Sequence, residues 1–288
     1  MNFNVREEII ALTPQWKGER LPDGRPKVDE KYLKALKTLT LEEVWKPIFV
    51  KGYESQFEGR LHTLINEVSK VEGIEWIRLM YAYPERLGDD VIDVIATNPK
   101  VLHYLDLPIQ HINDRVLKSM NRKGGTDIIM SAINRLRAKV PDISIRTSLI
   151  TGYPGETEED FLESAEMCRA IGFSHIHTFK YSIRNGTKAA RMPNQVPDKI
   201  KTERSAIIRQ ISAENKKRYF EQMLGKSQKM LIERISADGI AQGYGENYIP
   251  MRLKNKDLEK NTFVNVVVDS IIEKGDNSEV RASQQIRQ

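Results

Sequence analysis

Cysteine is almost absent: among 288 residues there is one, Cys168. A single thiol excludes an internal disulfide and cannot by itself build a multi-cysteine metal or iron–sulfur site. It shares a helical apolar face with Phe161 and Ala165, so it reads as a buried, inert thiol rather than a nucleophile. Long apolar runs are missing too, and the polar start Met1-Asn2-Phe3-Asn4-Val5-Arg6 has no signal-peptide core. The expectation is a soluble, cytoplasmic chain without a membrane partner. Histidine is scarce at five, which leaves few groups for acid–base work. His111 lies in Gln-His-Ile-Asn-Asp, which reads as a helix entry with Asn113 or Asp114 as N-cap as well as it reads as a general base. His175 and His177 alternate on one strand face with no third ligand nearby, so they read as interior or ligand-wall residues. No residue is assigned a catalytic or metal-binding role.

What is present is a chain with 40% hydrophobic and 30% charged residues, enough for one large domain with an appendage or for two ordinary domains. Its net charge of +5 is unevenly spread. Residues 180–220 hold 11 of the 45 Lys+Arg and 3 of the 40 Asp+Glu, a balance of +8 that leaves −3 for the rest. With Tyr181, Tyr219 and Phe220 inside it, this segment suits a phosphate-backbone partner. It equally suits a solvated helix, because Ile207, Ile208, Ile211 and Phe220 recur at roughly helical spacing.

Between residues 74 and 181 strand and helix patterns alternate. Strands are expected at 74–81, 101–109, 143–150 and 174–181, and helices around 89–96, 114–121, 126–138 and 157–171. The stripe Ile129, Ala132, Ile133, Leu136 is an i, i+3, i+4, i+7 pattern closed by Pro141. Four strands do not close an eight-stranded barrel; they predict a piece of curved parallel sheet with its functional face at the strand C-termini. The third of these ends is Thr151-Gly152-Tyr153-Pro154-Gly155-Glu156-Thr157, where two glycines allow a turn, Pro154 stiffens it, and Thr157 with Asp160 reads as a capping box. Gln110 ends the second strand, and Tyr181 and Ser182 the fourth. Gln110 is able to bond hydroxyls or amides, Arg146 to face a carboxylate, and Glu156 to accept from ribose or amine groups. Each also has a plain alternative: a helix cap, an ion pair with a neighbouring strand, and a helix-dipole partner.

Long phrases then carry a family resemblance. They are Val71-Glu72-Gly73-Ile74-Glu75-Trp76-Ile77-Arg78-Leu79; Tyr104-Leu105-Asp106-Leu107-Pro108-Ile109-Gln110-His111 with its continuation to Arg122; and Arg146-Thr147-Ser148-Leu149-Ile150-Thr151-Gly152-Tyr153-Pro154-Gly155-Glu156-Thr157. Together they resemble the second half of the radical S-adenosylmethionine methylthiotransferases, which modify tRNA adenosines or a ribosomal-protein aspartate. The resemblance implies a partial βα barrel of about four strands over residues 60–222. Gln110, Arg146, Gly152, Pro154, Gly155, Glu156, Tyr181 and Ser182 would then border S-adenosylmethionine. It also implies a TRAM-like RNA-binding module, a small antiparallel β-barrel, over residues 223–288. Strand patterns at 228–235, 248–253 and 263–272, with turns at Asp238-Gly239 and Gly243-Tyr244-Gly245, agree with that module. RNA contacts are expected from Lys180, Arg184, Lys188, Arg191, Tyr244 and Tyr248, the two tyrosines stacking on bases unless barrel packing claims them.

Two departures stand out. The family's Cys-x3-Cys-x2-Cys triplet, which binds a [4Fe–4S] cluster, has no counterpart here, so the chain is expected to be inactive alone and to need a cluster-bearing partner chain. Residues 1–59 instead are similar to the helical leader of RraA-like (demethylmenaquinone methyltransferase-like, aldolase-related) proteins, through Leu12-Thr13-Pro14-Gln15-Trp16-Lys17-Gly18 and Gly52-Tyr53-Glu54-Ser55-Gln56-Phe57-Glu58-Gly59. No catalytic motif of that family follows, and no activity is carried over. Gln110 to Arg122 resembles the ribosomal-protein branch, whereas residues 185–197 and the terminal barrel resemble the branch acting on threonylcarbamoyl-adenosine in tRNA. The basic segment and the terminal barrel tilt the expectation toward tRNA, with ribosomal protein or a non-catalytic RNA-binding scaffold as alternatives.

Overall fold

A computed structural model describes residues 6–12, 16–31, 34, 61–255, 257–275 and 277–285. Internal contacts divide the chain into two units, Met1–Arg60 and Leu61–Gln288. In the first, helix α1 (Arg6–Leu12) is followed by a tight turn in which Arg20 bridges Pro26 and Lys27 N donates to Glu19 O at 2.9 Å. The leader is therefore helical only in part among the described residues, and the phrase at residues 52–59 lies outside them.

The second unit begins with α2 (Leu61–Ser69) and continues as β1 (Ile77–Leu79), α3 (Asp89–Thr97), β2 (Val101–Asp106), α4 (Asp114–Ser119) and α5 (Thr126–Lys139). Then come β3 (Ser144–Thr151), α6 (Glu158–Ile171), β4 (His175–Lys180) and the long α7 (Asp198–Met223). The four strands form a parallel sheet in the order β1-β2-β3-β4, as the βα alternation predicts. Register aligns Asp106 with Arg146 and Arg146 with His175. The helices bury an apolar face against one side of this sheet: Ile92 and Ile95 of α3, Ile133 and Leu136 of α5, and Phe161 and Cys168 of α6 join Leu105, Ile145 and Ile176 in one core. The predicted stripe on α5 is the buried one.

Two strands are shorter than expected. β1 spans three residues rather than 74–81, because Ile74 is still in a turn, donating to Val71 O at 3.4 Å, and Tyr81 takes φ 59°, which no strand residue holds. β2 ends at Asp106 rather than 109: Pro108 has no N–H to offer a ladder, and Gln110 turns into the left-handed region at φ 67°.

Five further strands follow: β5 (Ser227–Ile235), β6 (Ile240–Gly245), β7 (Pro250–Lys254), β8 (Phe263–Ile272) and β9 (Glu279–Gln284). They close into a barrel in the order β5-β6-β7-β9-β8. It is mixed rather than purely antiparallel, since β7 and β9 run parallel. Gly243 and Gly245, read above as a turn, lie inside β6. A β-carbon on Gly243 would stand 1.8 Å from Leu231 O, so glycine marks a close strand approach here instead of a bend. Phe220 and Met223, from the last turns of α7, enter the barrel core beside Met230, Ile232 and Val266. One helix thereby belongs to both cores, with Ile208 and Ile211 in the first.

Candidate cofactor site

The C-terminal ends of β1 to β4 converge as expected, and the corner after β3 is the most tightly specified part. Gly152 and Gly155 hold φ 73° and 83°, and Thr157 and Asp160 form the predicted capping box at the start of α6. Burial works against ionisation of Asp160, yet the Thr157 backbone N–H and Arg115 hold its carboxyl below the ordinary value. Glu156 closes the corner from within. Its Oε2 accepts the backbone N–H of Gly152 at 2.7 Å and of Tyr153 at 3.2 Å, while Oε1 accepts from Arg204 at 2.8 Å. The side chain is fully buried. This corrects the expectation that Glu156 meets a ribose or amine: two backbone amides and a guanidinium already occupy its carboxylate, as a buried charge requires.

Beside the corner lies a cavity of about 380 Å³ lined by Gln110, Ile150, Phe179, Tyr181, Ser182 and Arg184, among others. Gln110, Tyr181 and Ser182 are thus brought together as expected. Gly152, Pro154 and Gly155 form the neighbouring turn without lining the cavity. Tyr153 joins the two through an edge-on contact with Tyr181, ring centroids 5.6 Å apart. The hydroxyl of Tyr181 is buried without a hydrogen-bond partner among the described residues, and the β-carbon direction of Gly155 is open.

Arg146 stands apart. It is four residues before Ile150 on β3, roughly 13 Å along an extended strand. There it lines a different cavity of about 480 Å³ with Tyr104, His175 and barrel residues. Its guanidinium is 3.7 Å from Asp106 Oδ2 and donates to His177 Nδ1 at 3.1 Å, the neighbouring-strand ion pair that was the plain alternative. Asp106 was missed in the sequence reading. Both its oxygens are buried without a hydrogen bond among the described residues, and burial raises its carboxyl above the usual range although Arg146 opposes that. Its position opposite Arg146 in the parallel register is the only signal that could have found it.

His111 is buried. Its Nδ1 accepts the backbone N–H of Asn113 at 3.0 Å, and Asn113 caps α4 as predicted, so the histidine belongs to a helix entry. Cys168 is fully buried, and burial pushes its thiol up to about 12.

Of the residues expected to contact RNA, Arg184, Lys188 and Arg191 are exposed, and Lys180 pairs with Asp198 at 3.2 Å. Tyr244 and Tyr248 stack on each other at 4.5 Å, and Tyr248 also carries the Arg78 guanidinium 4.4 Å from its centroid. Packing within the chain therefore claims ring faces that base stacking would need. The basic segment 180–220 is not uniformly a surface either, since Lys201 and Arg204 are buried.

The sequence pattern of the Radical SAM superfamily matches residues 14–168, more than half of the chain. The chain belongs to the Radical SAM superfamily. The match takes in most of the leader that resembles RraA-like proteins. The chain is 43% identical over 197 residues to the ribosomal protein uS12 methylthiotransferase RimO of Clostridium acetobutylicum, covering 68% of this chain and 44% of that one. Against the RimO of Clostridium kluyveri the identity is 39% over 233 residues, covering 77% and 51%. The chain thus spans about half the length of the curated relatives it matches. Among solved structures, coproporphyrinogen III oxidase (HemN) from Escherichia coli, a radical SAM enzyme, aligns with a TM-score of 0.39 at 14% identity over 73% of this chain and 50% of that one, a distant likeness.

S-adenosylmethionine and a [4Fe–4S] cluster are the cofactors of the superfamily. The cluster does not fit this chain's residues: the one thiol is sealed in a helix face, and no group of three His, Cys, Asp or Glu suited to a metal occurs among the described residues. S-adenosylmethionine does fit the strand ends, where an unpartnered buried tyrosine hydroxyl, a glutamine and a serine surround a cavity of ligand size.

No helix among the described residues is long and apolar enough to cross a membrane.

Proposed function

We propose that this chain is the cofactor-holding and substrate-facing part of a methylthiotransferase that modifies a ribosomal-protein side chain. The observation that carries this reading is the 37–43% identity to proteins named as ribosomal protein uS12 methylthiotransferases. It runs through the same phrase, Gln110 to Arg122, that resembles the ribosomal-protein branch. This revises the preference for threonylcarbamoyl-adenosine in tRNA, which rested on the basic segment and the terminal barrel; two of the segment's cations, Lys201 and Arg204, are interior.

In this reading Gln110 and Ser182 orient the polar end of S-adenosylmethionine, the Tyr181 hydroxyl supplies a further hydrogen bond, and the corner at Gly152, Pro154 and Gly155 backs the cavity wall through the Tyr153–Tyr181 contact. When bound, S-adenosylmethionine supplies the reactive methyl sulfonium. The thiolates of the cluster would come from outside this chain's residues. Arg184 lines the cavity, and Lys188 and Arg191 are exposed on the segment that follows it, where an acidic substrate segment would be steered.

Equilibrium binding of purified uS12 and of bulk tRNA to the chain, each at two salt concentrations, tests the choice. Saturable uS12 binding that outcompetes tRNA is expected. Tight, salt-sensitive tRNA binding with none to uS12 would restore the tRNA reading.

A further inference from the structure

The corner after β3 is held from within by Glu156 and from outside its βα unit by side chains of later and earlier elements. Arg115 of α4 donates to Gly155 O at 2.9 Å, and the buried cations behind Glu156 and Gly152 come from α7, 45 or more residues later and beyond the matched stretch that ends at residue 168. Arg204 is 5% exposed. It donates to Glu156 Oε1 at 2.8 Å, to the Glu156 carbonyl at 3.3 Å and to Glu158 Oε2 at 2.9 Å, and its guanidinium lies 5.2 Å from the Phe161 ring centroid. Glu156 in turn holds the amides of Gly152 and Tyr153. Lys201, one turn earlier and 7% exposed, lays its stem against Gly152 so closely that a β-carbon there would stand 2.3 Å from Lys201 Cγ. Its ammonium is 5.5 Å from the ring centroid of Tyr181, which lines the cavity. The glycine at 152 is thus required by a side chain of this chain, as well as by its φ of 73°.

We propose that Arg204 is a positioning residue for the cofactor corner. Through Glu156 it fixes the backbone of Gly152 and Tyr153, and Lys201 fills the space behind them. The chain of contacts is Arg204 to Glu156 to the two amides, then Tyr153 to Tyr181 at the cavity wall. Neither Arg204 nor Lys201 lines the cavity itself. Their effect is to hold a left-handed turn in one shape: removing the guanidinium leaves the buried Glu156 carboxylate with the His111 ring, 3.7 Å from Oε2, as its remaining side-chain neighbour, and a side chain that turns toward water to replace the lost partner draws Oε2 away from the two amides. That the corner serves S-adenosylmethionine rests on the reading above; that Arg204 shapes the corner does not.

The two statements separate in one experiment on the full chain. Backbone amide shifts of Gly152 and Tyr153 are recorded by NMR, and S-adenosylhomocysteine is titrated by calorimetry, for the native chain, Arg204→Lys, Arg204→Ala and the charge-free pair Glu156→Gln/Arg204→Met. The pair guards against simple unfolding, because it leaves no buried charge unpaired. Carboxylate-bonded amides resonate downfield; both are expected to move upfield in Arg204→Ala and in the pair, with affinity falling at least tenfold, and Arg204→Lys is expected to recover part of both. Unchanged amide shifts in every folded variant would overturn the positioning role, even if thermal stability falls. So would shifts that move while affinity stays native. If the native chain shows no saturable binding, the cofactor reading fails, and the amide shifts alone decide for or against Arg204.

Discussion

At the level of single residues, what the sequence discloses is local. Thr157 with Asp160, Asn113 as an N-cap, and the two glycines at positive φ were readable because partner and residue lie within a few positions of each other. Glu156 was misread for the opposite reason: its decisive partner, Arg204, is 48 residues away. His175 shows the same limit, and gives a pH prediction. Burial, then the charges of Lys216 and Arg146, hold its imidazole down to about 4 against an ordinary 6.5. The unfolded chain therefore binds this proton more readily than the fold does. Stability from His175 is complete above pH 6.5 and falls as pH drops toward 4, by at most about 3 kcal/mol. Urea denaturation at pH 7 and pH 4.5 checks this, and His175→Asn is expected to lose less stability between the two than the native chain does.

At the level of elements, α7 does most to set the architecture, and its charge pattern concealed its role. Eleven cations between residues 180 and 220 suggest an outer face, yet Lys201, Arg204, Ser205, Ser212 and Asn215 all turn inward on the same helix as Ile208 and Ile211. Ser212 Oγ accepts the backbone N–H of Ile176 on β4, and Asn215 Nδ2 donates to Cys168 O on α6 at 3.0 Å, so these two buried groups find partners on elements that sequence spacing does not reveal. The far end of the helix is apolar and closes the barrel. Phe220→Ala is expected to cost about 3–5 kcal/mol, the usual range for emptying a buried aromatic site, with the loss read by thermal denaturation. A change below about 1 kcal/mol would mean that α7 is not part of the barrel core. The barrel itself was only partly legible. Glycines in β6 imitate a turn, and β9 pairs in parallel with β7 across intervening β8, a register no local pattern encodes.

At the level of the whole molecule, the parallel sheet and the barrel were legible as a class, because alternating periodicity and closely spaced short strands are global patterns. The grouping of site residues was not. Gln110, Tyr181 and Ser182 share one cavity, whereas Arg146, near the start of β3, lines another with Tyr104. The chain spans about half the length of its curated relatives and holds one buried cysteine; the proposed function therefore gives its own residues the holding of S-adenosylmethionine and not the binding of a cluster. The most direct test of that account is calorimetric titration of S-adenosylhomocysteine into the purified full chain and its Gln110→Ala variant. The account predicts saturable binding near one per chain for the native protein, weakened by about 1 kcal/mol when the glutamine's hydrogen bonds are removed. No saturable binding to the native chain, or identical affinity in both proteins, would contradict it.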